Sequence, residues 1–220
     1  MPQGPGGVII LADQSLQILE PETKRAIAFV DGQNLYHHAR AAFDVTHPNY
    51  DVLALTRKIC QSKGWFFKAA RFYTGTPELT DDPKWHNFWA KKLLAIKRQG
   101  VHVYSRRLRY RDTEVTINGR SHTITVGEEK GIDIRIALDC VSLALSNDLD
   151  VAVIFSQDQD MSEVVDEIKK IARLQRRWIK VACAYPISPT ATNRRGINGS
   201  EWVPFDESTY KSCIDHRDYR

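Results

Sequence analysis

Five short apolar runs alternate with stretches whose apolar residues recur every three to four positions. The runs cover 27–30, 65–73, 101–105, 151–155 and 179–184. Each has the length and β-branched or aromatic content of a buried strand. Between them, helical periodicity predicts helices over 35–43, 51–64, 82–100, 133–147 and 161–177. Asp51 stands as the N-cap of the second helix, with Gly64 just past its end. Asp82-Pro83 places an N-cap before a proline at the first position of the third. Strands separated by helices imply a mostly parallel, doubly wound α/β sheet of about five strands.

One stretch breaks this order. Residues 113–126 alternate polar and apolar about Asn118-Gly119, a two-residue hairpin signal. They predict a β-hairpin inserted at about 106–127, just ahead of the fourth helix. Residues 1–24, rich in Pro and Gly at their start, read as a flexible arm. Residues 186–220 lack a period and read as an extended tail packed on the domain at 25–185.

At 220 residues the chain is long enough for one well-filled core. Its net charge of +4 is mild, but the cations are unevenly spread. From Pro83 to Arg111 there is no acid, while Lys84, Lys91, Lys92, Arg106, Arg107, Arg109 and Arg111 fall there beside Trp85, Trp89, Tyr104 and Tyr110. Such a stretch suits either a polyanion-facing surface or a solvated helix face followed by a basic strand. The four cysteines are scattered without metal-ligand spacing and read as reduced core thiols. No apolar run approaches ~18 residues, and no leader pattern opens the chain. A cytoplasmic protein without a membrane partner is expected.

The candidate chemistry lies at strand ends. The first strand ends in Asp31, with Asn34 three residues on. The fourth ends before Asp158 and Asp160, and Asp133 opens the helix after the hairpin. Ligands of open parallel sheets bind beyond the carboxyl ends of the strands, so these acids are expected to meet. Each has a plain structural alternative: Asp31 as a turn residue, Asn34 as a cap, Asp160 as half of a capping box with Glu163. Asp158 has no such role. On a helical wheel Asp133 falls on the apolar face and Asp139 on the polar one, four residues from Arg135. Asp139 is therefore expected in a surface ion pair. If Asp31, Asp133 and Asp158 approached ~5 Å, each pair would repel by roughly 3 kcal/mol at an effective dielectric near 20. A hard cation offsets that, and an all-oxygen set favours Mg²⁺ or Mn²⁺ over zinc.

Three blocks carry a resemblance: Phe-Val-Asp-Gly-Gln-Asn-Leu at 29–35, Lys-Gly-Ile-Asp-Ile at 130–134, and Ile-Phe-Ser-Gln-Asp-Gln-Asp at 154–160. Together, in this order, they resemble the signature blocks of NYN-domain proteins, PIN-like nucleases, and look closest to the LabA-like bacterial branch. The resemblance implies a PIN-like three-layer α/β/α fold and a metal-dependent ribonuclease centre. Carried over by position, it implies metal ligation by Asp31, Asp133, Asp158 and Asp160, with Asn34 orienting Asp31 or a phosphate oxygen. Lys130 would counter developing charge, and Arg106, Arg107, Arg109 and Arg111 would track the backbone of RNA, preferably single-stranded.

The chain departs at Gln157, where relatives often have Gly. A side chain there is expected to narrow the site or shift the Asp158 loop. The segment Asn-Arg-Arg-Gly-Ile-Asn-Gly at 193–199 also resembles one in close relatives, without an evident role. Alternatives are an RNA- or nucleotide-binding regulator on the same fold, and a toxin-like nuclease silenced by a protein partner. A homo-oligomer is equally compatible. A haloacid-dehalogenase-type phosphatase is disfavoured, because it needs a second Asp at position 33, which is Gln.

Overall fold

The computed structural model describes residues 18–117 and 119–219. The expected turn residue Asn118 and most of the expected arm (1–17) lie outside the described residues. Six strands form one all-parallel sheet: β1 (Arg25–Asp31), β2 (Phe66–Thr76), β3 (His102–Arg107), β6 (Val151–Phe155), β7 (Lys180–Pro186) and β8 (Glu201–Phe205). Their spatial order is β3-β2-β1-β6-β7-β8. The chain therefore steps outward from β1 through β2 to β3, then returns to the other side of β1 to begin β6. That reversal makes the gap between β1 and β6 the topological switch point, where a crevice opens beyond the strand ends.

β1 is buried along almost its whole length because both faces are covered. Ala28 and Val30 face a core built with α1 (Gly32–Phe43), α2 (Val52–Ser62) and α3 (Pro83–Arg98). Ile27 and Phe29 face a second core built with α4 (Ile132–Leu145) and α5 (Ser162–Leu174). The result is the three-layer α/β/α arrangement the sequence implies. At the far end of the sheet, the guanidinium of Arg25 donates to both carboxylate oxygens of Asp150 at 2.8 Å, tying the starts of β1 and β6 together. The caps fall where the sequence placed them. Asp51 accepts from Ala54 N at 2.9 Å, and Asp82 from Trp85 N at 3.1 Å.

The hairpin is present as β4 (Arg109–Ile117) and β5 (Arg120–Glu128), an antiparallel pair separate from the main sheet. Two features differ from expectation. The tail is more than an extended segment: β8 pairs in parallel with β7, and a short helix α6 (Glu207–Lys211) follows. Pro204 sits within β8, which is allowed because β8 is the edge strand. The other difference is the facing of α4. Its buried face carries Ile132, Ile136, Asp139, Cys140 and Ala144, whereas Asp133 is exposed. Asp139 does pair with Arg135, but at 3 % exposure it is no surface residue. It also accepts from Arg71 at 3.0 Å and from the Tyr73 hydroxyl at 2.7 Å. Those partners on β2 satisfy a charge that the wheel alone assigns to solvent.

Candidate functional site

A cleft of about 520 Å³ opens at the switch point, lined by Asp31, Asn34, Glu129, Lys130, Asp133 and Asp158. Four elements deliver its acids. Asp31 closes β1 and caps α1, its Oδ1 accepting from Asn34 N at 2.9 Å. Asp158 follows β6 and caps a single 3₁₀ turn, Gln159–Met161, by accepting from Asp160 N at 3.0 Å. Asp133 lies in the first turn of α4, and Glu129 just after β5.

Asp31 is buried, 7 % exposed. Its carboxyl is pushed up to about 6, first by burial and then by the negative charges of Asp158 and Asp133; hydrogen bonds from the backbone of Asn34 and Gln33 oppose the shift. Glu129 is pushed up to about 7 by burial and by the charges of Asp31 and Asp133. These carboxylates feel one another, as a shared site requires. Glu129 was not singled out by sequence reasoning. Its signal lay in the Glu128-Glu129 pair at the exit of the hairpin: Glu128 is claimed by Arg111 and Lys130, while Glu129 accepts from Gly75 N. A Cβ at Gly75 would stand 2.5 Å from the Leu108 side chain and 3.0 Å from that of Glu129, so a larger residue there would push against Glu129.

Asp160 does not line the cleft. It is exposed, and the capping role expected of it belongs instead to Asp158, which holds the Asp160 N–H. Gln157 does not narrow the site either. Its side chain is 4 % exposed and donates from Nε2 to Arg195 O at 2.8 Å, away from the cleft. Gln159 donates to Gly196 O at 3.2 Å and accepts from Asn198 N at 3.2 Å. The 193–199 segment thus has a structural role: it braces the loop that carries Asp158. Of the expected basic track, Arg107 pairs with Glu78 at 3.2 Å and Arg111 with Glu128, while Arg106 donates to Lys130 O at 3.2 Å. All four arginines are exposed.

The donor set is oxygen throughout, apart from His37 at the rim. Asp31 and Glu129 are held above their usual range, first by burial and then by the charges of neighbouring acids. That chemistry fits a hard divalent cation. Among the described residues, however, no three of His, Cys, Asp or Glu stand close enough to enclose an ion as they are. The expected convergence is a shared cleft rather than a closed ligand cage.

An all-parallel α/β sheet with carboxylates gathered at its switch point describes a nuclease-like domain, and the comparisons agree. The NYN domain profile matches residues 25–179, and the chain belongs to that family. The family implies a nuclease-like fold, and such domains are typically nucleases that use divalent metals. Among solved structures, a protein of unknown function from Vibrio parahaemolyticus is 22 % identical, with a TM-score of 0.50 over 86 % of this chain and 98 % of that one. MurG of Acinetobacter baumannii is 14 % identical, with a TM-score of 0.33 over 82 % of this chain and 45 % of that one. The first shares the fold. No curated protein matches the chain. No helix among the described residues is long and apolar enough to cross a membrane.

Proposed function

We propose that this protein is a Mg²⁺- or Mn²⁺-dependent endoribonuclease acting on single-stranded RNA. The observation that carries the reading is the meeting of Asp31, Glu129, Asp133 and Asp158 in one cleft, with Asp31 raised first by burial and further by the charges of Asp158 and Asp133. Those four carboxylates would hold the cation, which when bound supplies an activated water and stabilises charge on the scissile phosphate. Asn34 keeps Asp31 and the Asp158 loop in fixed relation. Lys130 lines the cleft and places an ammonium near the developing charge. Arg106, Arg107, Arg109 and Arg111 lie on the adjoining strands β3 and β4 and offer positive charge to the RNA backbone.

A strand-binding protein without turnover is the second reading, favoured by the acids not closing to ion-holding distance. Incubating the protein with labelled single-stranded RNA in Mn²⁺, Mg²⁺ or EDTA separates the two. Metal-dependent cleavage lost in both Asp31→Asn and Asp158→Asn is the expected result. RNA that stays bound and uncut in either metal overturns the nuclease reading in favour of the second. Cleavage that survives both substitutions removes the site.

A further inference from the structure

A second cavity, of about 830 Å³, lies apart from the carboxylate cleft. It lies between one face of α3, the 47–49 loop and the 215–219 segment. Its wall is aromatic: Trp85 and Phe88 meet edge to face at 5.1 Å, Phe88 and Trp89 at 5.7 Å, and Phe88 and Tyr219 at 5.6 Å. Trp85 is 40 % exposed, so its ring is open to a ligand.

Lys92 also lines this cavity, and it is 95 % buried by the complement of its 5 % exposure. Its ammonium donates to Asn49 Oδ1 at 2.5 Å and lies 5.7–6.0 Å from the rings of Tyr50, Tyr219 and Phe88. Among the described residues it has no salt-bridge partner. Asp215, the nearby buried acid, is held by Arg217 and Tyr219 instead. An ammonium has three donors, and burying one with a single hydrogen-bond acceptor is costly unless an anion completes it. Burial accordingly lowers its pKa to about 8. The rim adds Lys84 and His47, with the His47 ring 6.4 Å from that of Trp85.

The open Trp85 ring, with half-buried Phe88 behind it and a partly satisfied buried cation beside them, selects a ligand with an aromatic ring and an anionic group. A nucleotide is that ligand. The cavity also adjoins the carboxylate cleft. Tyr36 on α1 lines the cavity and His37 the cleft, their rings in edge contact at 5.5 Å. Asp31 is near enough to Tyr50 to raise its hydroxyl's pKa electrostatically, behind the larger effect of burial.

We propose that this cavity binds one nucleotide of a single-stranded RNA, its base against Trp85 and Phe88 and its phosphate on Lys92. The assignment of the nucleotide to a strand rests on the nuclease or strand-binding reading above; the cavity's preference for a nucleotide does not. It accounts for the acid-free, tryptophan-bearing stretch on α3, which the cleft leaves unused.

The test is binding of a labelled single-stranded oligoribonucleotide in EDTA, where nothing is cut, by the wild type, Trp85→Ala and Lys92→Met. AMP is titrated separately against tryptophan fluorescence. Both variants are expected to bind RNA about tenfold more weakly, or ~1.4 kcal/mol, with melting temperatures near wild type. AMP quenching is expected in the wild type and not in Lys92→Met. Should Lys92→Met misfold, Trp85→Ala at its half-open position decides the matter alone. Unchanged RNA affinity in the folded variants overturns the proposal, even if Asp31→Asn abolishes cleavage and the nuclease reading stands. Weakened RNA binding with no cleavage in any metal upholds the cavity while the nuclease reading falls. AMP quenching with RNA affinity unaffected makes it a free-nucleotide site and overturns the strand assignment.

Discussion

The side-chain oxygen of Asn34 accepts the main-chain N–H of Gln157 at 2.9 Å. Because Asn34 N itself donates to Asp31 at 2.9 Å, one residue links the acid at the end of β1 to the loop carrying Asp158. The two loops belong to neighbouring strands but lie more than a hundred residues apart in sequence. Asn34 is therefore a positioning residue: it sets the spacing of the acids.

Asn34→Ala removes the acceptor and leaves the Gln157 N–H without its partner. The expected loss of stability is about 1–3 kcal/mol, with the backbone cap of Asp31 intact. Cleavage should fall in kcat more than in KM, because the acids drift apart while RNA contacts on β3 and β4 remain. Steady-state kinetics with a melting curve in parallel checks both. A variant that keeps wild-type kcat contradicts the linkage.

Asp31→Asn should make the metal-free protein more stable at pH 7 while abolishing cleavage. The folded carboxyl titrates at about 6 against an ordinary 3.8, so the native state holds its proton more tightly than the unfolded chain. Its charge then opposes folding above pH 6, and this opposition fades as pH falls towards 4. Two units amount to at most ~3 kcal/mol, or several degrees of melting temperature. Asn keeps the capping oxygen. Melting curves at pH 7 and pH 4 should show the variant ahead at the first and level at the second. An Asp31→Asn protein that melts below wild type at pH 7 removes the electrostatic account.

Much of this arrangement is legible in the sequence, and the parts that are not share a cause. Strands and helices follow from local periodicity, and Asp31, Asp133 and Asp158 follow from sitting at element ends. What local pattern hides is a partner from elsewhere. Asp139 reads as a surface acid on the wheel of α4 because Arg71 and Tyr73, which hold it, come from β2. β8 is hidden by its Pro and by a preceding loop rich in Gly and Asn, and it exists because β7 offers it an edge. Glu129 is separated from Glu128 only by which neighbours claim each. Asp160 resembles a cap because its spacing to Glu163 is right, yet the 3₁₀ turn shifts that duty two residues back to Asp158.

The basic track should divide by how far each arginine is already compensated. Arg111 pairs with Glu128 and Arg107 with Glu78, whereas Arg106 spends part of its guanidinium on a neutral carbonyl. Arg106→Ala is expected to weaken RNA binding across sequences and reduce the slope of log K against log salt by about 1. Arg107→Ala and Arg111→Ala should each reduce it by less, since a cation already paired with a protein acid displaces fewer counterions from the phosphates. Binding measured from low to physiological salt decides it. Equal slopes for wild type and Arg106→Ala take the RNA backbone off this strand.

Asp139→Asn should damage stability and leave the chemistry of the surviving folded protein intact. Burial alone would raise the Asp139 carboxyl; hydrogen bonds from Arg135 and Tyr73 and the charge of Arg71 outweigh it and hold the group below its usual range. A depressed folded pKa means that the carboxylate stabilises the fold above its ordinary value of 3.8 and that this contribution is lost as pH falls below it. Removing the charge strands two arginines beside a buried amide, a loss of about 3 kcal/mol. The variant should melt well below wild type at pH 7, with the gap closing under acid conditions, opposite in sign to Asp31→Asn. Its kcat at a temperature where it is fully folded should match wild type. A folded Asp139→Asn protein with no cleavage would move Asp139 into the site and take Asp133's place in the assignment.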